Sequence, residues 1–124
     1  MNATASEIYV ASLLANFFEA GWSVQVLLGD MTRPQYEASR LARPAIQKHL
    51  RTMATTAASL PPDVRDQMPK VDWQSWEDLG DHLPPRCPAD RDLVWTVLEH
   101  WLPPEGRELR RYRQQLPQLW RYRF

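Results

Sequence analysis

The chain is poor in the residues that mark several protein classes. Only one of its 124 residues is cysteine, Cys87, so no disulfide can form within the chain, which fits a reducing, cytoplasmic setting. Four glycines leave little material for tight hairpins or phosphate-cradling loops, and none sits in a GxGxxG or Walker pattern. No uninterrupted apolar run approaches the roughly 18 residues of a membrane span. The start, MNATASEIYV, lacks the basic region of a secretory signal. Neither sign of charge is in excess, since 15 Lys plus Arg meet 15 Asp plus Glu. That balance argues against coating of nucleic acid or of a membrane by bulk charge.

What is present points to one small globular domain. Apolar residues make up 44% and charged residues 24%, an ordinary folded composition. Eleven prolines punctuate the chain, and six tryptophans can anchor a small core or an interface. Charge is segregated along the sequence. Residues 1–61 carry a net +1, residues 62–105 a net −6, and residues 106–124 a net +5. The basic end can satisfy the acidic middle within one chain or between two subunits.

Hydrophobic spacing predicts helices throughout and sustained alternation nowhere. Ser6 precedes Val10, Leu13, Leu14, Phe17 and Phe18, a stripe expected to end at Gly21. Tyr36, Ile46, Leu50, Met53, Ala57 and Leu60 mark residues 33–59, read as one helix kinked at Pro44 or as two helices parted near Ala42. Asp72 opens a third helix with Trp73, Trp76, Leu79 and Leu83. Asp90 opens a fourth with Leu93, Val94, Val97, Leu98 and Trp101, stopped by Pro103-Pro104. The expected fold class is all-α: an up-and-down four-helix bundle over residues 1–104, with a basic, aromatic C-terminal helix or arm over 105–124.

A search for chemistry returns little. His49, His82 and His100 fall on separate elements, and the run Asp78, Asp81, His82, Cys87 matches no zinc spacing, so neither metal nor cofactor is expected. No serine sits in GxSxG, and the paired acids Glu77-Asp78 and Asp90/Asp92 point to different sides of helices, so they form no ready acid/base dyad.

The stretch LPPDVRDQMPKVDWQSWEDLGDHL followed by ADRDLVWTVLEHWLP resembles the HepT-like group of the HEPN superfamily. The likeness covers roughly residues 8–103 and includes a first helix of the type FFEAGWSVQVLLGD. Met68, Pro69, Asp72 and Trp73 match that group's third-helix opening, and Asp90 to Trp95 match its fourth-helix signature. The resemblance implies a homodimer and a nucleotidyltransferase-type antitoxin as partner. It also implies metal-independent RNA cleavage by an Arg-x4–6-His motif at the end of the third helix. Here the arginine's place holds Gly80 and the histidine's place holds Pro85, with Asp81 and His82 at the wrong offset and Arg86 beyond. No tyrosine lies between Tyr36 and Tyr112, so the tyrosine that such a partner would modify is also missing. Arg43 and His49 reproduce the motif's spacing on the second helix. Six residues at 100° each leave them about 120° apart around the axis, so they converge only if Pro44 kinks the helix.

The expectation is therefore a non-catalytic HEPN-like protein-interaction module, an inactive relative of toxin–antitoxin ribonucleases. The alternative is an RNA-binding or RNA-cleaving protein using Arg43 and His49 or the arginine-rich tail. In that tail Arg107, Arg110, Arg111, Arg113, Arg121 and Arg123 interleave with aromatics, a pattern that suits single-stranded nucleic acid. Its bland counterpart is a fifth helix docked by Leu109 and Leu116, its arginines paired with the acidic middle. Trp73, Trp76, Trp95 and Trp101 are the interface candidates, because Trp95 lies off the face set by Val94, Val97 and Leu98. No membrane partner is expected.

Overall fold

The computed structural model describes residues 5–85 and 87–120. Among them there is no strand, and the chain is all-α. Eight α-helices follow one another: α1 Ala5–Leu28, α2 Arg33–Ala38, α3 Ala42–Ser59, α4 Pro62–Asp66, α5 Trp73–Leu79, α6 Arg91–Thr96, α7 Leu102–Gln115 and α8 Pro117–Trp120. A 3-10 turn, Gly80–His82, extends α5, and a π-helical segment, Val97–Trp101, joins α6 to α7. α1 packs chiefly on α3, α3 on α5, and the C-terminal α7 and α8 return to α1.

Helix α1 does not stop at Gly21. That residue is buried, and a Cβ built on it would lie 3.2 Å from Met53 Cε and 3.6 Å from Leu102 Cδ2. Gly21 thus lets α1 approach α3 and α7 closely, while Gly29, at φ +50°, ends the helix one turn and more later. The extra length makes Ser6–Leu28 long and apolar enough, at mean hydropathy 1.2, to cross a membrane by composition. Of that window 44% is buried against the rest of the chain. The polar interruptions that hide this in a linear reading are spread around the helix.

Residues 33–59 form two helices. Thr32 caps α2 in a reciprocal box with Gln35. Extended Ser39 ends it and accepts the Ala42 N–H on its Oγ at 3.0 Å. Pro44 then falls in the first turn of α3, where its missing N–H costs no bond, so no kink forms.

The fourth helix runs through Pro103-Pro104. The Leu102 N–H donates to Val97 O, the wider i→i−5 reach of a π turn, and the two prolines follow at positions that need no donor. The tail is therefore helical in direct continuation of α6, breaking only at Leu116 before Pro117. It docks on its own chain: Leu109 and Tyr112 are buried, and the Lys70 N–H donates to the Tyr112 hydroxyl at 3.0 Å.

The core centres on aromatic side chains. Trp76 is fully buried. Its ring meets Phe17 edge-on at 5.5 Å and Trp101 at 5.4 Å, while Trp73 lies 4.9 Å from Phe17. Asp72 caps α5 by accepting the Ser75 N–H at 3.2 Å. The indole N–H of Trp73 donates to Met68 O at 3.0 Å. Replacing Trp76 by Ala removes the ring that three helices share and is expected to cost about 3–5 kcal/mol in urea unfolding. Trp22→Ala, at a residue 53% exposed, is expected to cost about 1 kcal/mol or less.

Candidate functional site

Two places gather side chains capable of recognition or chemistry. The first is the end of α5, where the resemblance puts the ribonuclease motif. Gly80 lies against α3, and a Cβ on it would meet Ala54 Cβ at 3.4 Å. A cavity of about 370 Å³ opens there, lined in part by Arg51, Glu77, Asp78, Asp81 and Pro85. Arg51 donates to Pro84 O, Glu77 pairs with Arg65 at 3.0 Å, and Asp78 accepts from Gln74 Nε2 at 2.9 Å. Among the described residues the cavity's charged lining is three carboxylates and one guanidinium, and Glu77 is already paired with Arg65.

Arg43 and His49 sit along the regular helix α3, and no hydrogen bond or ion pair joins them. The Arg43 guanidinium is used at the α2–α3 junction, where Nη1 donates to Glu37 O at 2.8 Å. Nor do Asp78, Asp81, His82 and Cys87 assemble into a site. Cys87 Sγ donates to Asp81 O at 3.2 Å, and among the described residues no three His, Cys, Asp or Glu side chains are placed to hold a metal ion.

Two of the four tryptophan candidates are not surface residues. Trp73 and Trp76 are core, for the packing reasons given above. Trp95 and Trp101 are partly exposed, Trp95 lying 6.0 Å from Tyr36 on α2 and Trp101 against Trp76. The second apolar side of α6 is thus covered in part from within, by α2. An ion pair from Arg33 to Asp92 joins the same two helices.

The second place is a groove between α1 and the C-terminal α7–α8. Phe18, Trp22 and Glu19 line one side, Arg110, Arg113 and Trp120 the other, around a cavity of about 680 Å³. Arg110 stacks over Trp22 at 5.5 Å and Arg113 over Phe18 at 5.4 Å. Trp120 meets Phe18 edge-on at 6.1 Å. The described tail arginines do not pair with residues 62–105. Arg107 is exposed, Arg111 pairs with Glu108 at 3.4 Å, and Arg110 and Arg113 stack on aromatic rings of α1. Arg121 and Arg123 lie outside the described residues.

Sequence reasoning missed the α1 half of this groove. Its signal was Trp22, four residues beyond Phe18 on the same helix, with Arg110 and Arg113 three apart on α7. Compared with family models, with curated proteins and with solved structures, the chain matches none.

Glu105 was missed as well. Its Oε1 accepts the Asp72 N–H at 2.7 Å and its Oε2 the Trp76 indole N–H at 3.2 Å. Burial pushes this carboxyl above its usual range, and the two donated hydrogen bonds act in the opposite direction. A carboxyl raised in the folded chain binds its proton more tightly there. Its contribution to stability is full below the ordinary carboxylate range and is lost as pH rises through the folded value. Urea unfolding of wild type and Glu105→Gln from about pH 4 to pH 7 checks this. The stability of wild type relative to the variant is expected to fall as pH rises, and a rise would refute the assignment.

Proposed function

We propose that this chain is a non-catalytic protein-interaction module of the HepT-like kind, an up-and-down four-helix bundle with a docked C-terminal arm that lacks the ribonuclease site. The observation that carries this reading is the end of α5. There Gly80 packs against Ala54 and Pro85 borders a cavity walled by Glu77, Asp78 and Asp81, so the positions that would serve cleavage offer neither a cation nor an imidazole. The working unit of this reading is a homodimer, with a nucleotidyltransferase-type antitoxin as the partner that the resemblance suggests. Leu41, 88% exposed at the α2–α3 junction, and the partly exposed Trp95 and Trp101 support a protein-facing surface.

RNA binding through the tail is the second reading, and one observation favours it: Arg110 and Arg113 are presented beside aromatic rings. Light scattering coupled to size exclusion, with a cleavage assay on single-stranded RNA, separates the readings. The expected result is a particle of twice the chain's mass with no cleavage, with or without a chelator. RNA cleavage that survives chelation and disappears in Arg43→Ala and His49→Ala would overturn the non-catalytic reading, and a monomer would overturn the homodimer.

A further inference from the structure

We propose that the groove between α1 and α7–α8 is a binding site for an amphipathic monoanion, a carboxylate carried on an apolar chain or ring. The volume, about 680 Å³, is that of a small-molecule site. Its wall is divided as such a ligand requires. Phe18 and Trp22 supply apolar surface, and Trp22 remains 53% exposed although Arg110 stacks over its ring.

Among the described residues three side chains set the charge. Arg110 and Arg113 are held over the two rings, and no carboxylate pairs with either among the described residues. Stacking of this kind orients a guanidinium plane while leaving its edge N–H groups free to donate. Glu19 contributes one negative charge to the same wall. Two cations and one anion leave a net +1, which suits a monoanion. A nucleic-acid backbone presents one charge per phosphate and is gripped by more cations than this. A neutral apolar ligand would remove water from two guanidiniums without replacing their hydrogen bonds.

Trp120, 8% exposed, lines the cavity with the carbon surface of its ring, its indole nitrogen being closed to solvent. A second cavity of about 630 Å³ shares Phe18, Arg110 and Arg113 with the first, giving room for the length of an apolar chain.

Calorimetric titration of the full chain with decanoate, and separately with decanol, tests the proposal. Decanoate is expected to bind at least about tenfold more tightly than decanol, the effect of one good charge-assisted contact. The double substitution Arg110→Ala/Arg113→Ala is expected to weaken decanoate by a similar factor with little change in the thermal midpoint. Arg110→Lys/Arg113→Lys, which keeps the charge but loses the stacked guanidinium plane, is expected to bind between wild type and the alanine pair, and Glu19→Gln to tighten binding. Equal affinity for decanoate and decanol, or an unaffected double variant, would overturn the proposal. So would absence of decanoate binding, whether or not the protein takes up oligouridylate or sediments with phosphatidylglycerol vesicles.

Discussion

The hydrogen bond from the Trp76 indole to the Glu105 carboxylate, 3.2 Å long, ties together elements far apart in the chain. Trp76 belongs to α5, Glu105 to α7, and the other carboxylate oxygen accepts the N–H of Asp72, the residue that caps α5. One half-buried carboxylate therefore satisfies an indole and the entry to a helix at once. Around it the rings of Phe17 and Trp101 close the contact to α1 and to the π-helical segment. A carboxylate half in the interior is costly unless donors surround it, and removing it would leave the N–H of the buried Trp76 indole without its partner. The C-terminal helix cannot leave the rest of the fold without breaking this arrangement.

That anchoring decides what the C-terminal helix shows to solvent. With Glu105, Leu109 and Tyr112 turned inward, the 3.6-residue repeat places Arg107, Arg110, Arg111 and Arg113 outward. Arg110 and Arg113 then fall beside the Phe18 and Trp22 rings of α1. The molecule has two unlike ends as a result. The end of α5 is walled by carboxylates, and the groove beside α1 is aromatic with a surplus of guanidinium. Mutual neutralisation of the acidic middle and the basic tail does not occur, because α7 docks through its apolar and Glu105 side and turns its arginines away from α5.

Much of this was legible from the sequence, and the failures have local causes. Helical spacing identified every long element, and Asp72 and Asp90 cap where short polar side chains before apolar runs predict. The parting of residues 33–59 near Ala42 was one of the two readings open in advance, and Ser39 as a local hydrogen-bond acceptor decides it. Gly21 misled because a glycine inside a helix at a close crossing looks like a glycine that ends one; only the depth of Met53 and Leu102 tells them apart. Pro103-Pro104 misled because a π turn supplies the slack that a regular helix lacks. The tryptophans divided by tertiary context, since Trp73 and Trp76 sit at core spacing while Trp22 does not. The groove itself joins residues about ninety positions apart, a pairing that periodicity along one helix cannot reveal.

Hydrogen exchange at the tryptophan indoles, followed by nitrogen-15 correlation spectra, tests most directly whether the Trp76–Glu105 contact holds the fold together. The indole N–H of Trp76 is expected to exchange only through global unfolding, as slowly as the most protected backbone amides of α3, while that of Trp22 exchanges at close to the rate of an open side chain. A Trp76 indole that exchanges as fast as Trp22, with α3 still protected, would show that α7 opens independently and would contradict the account.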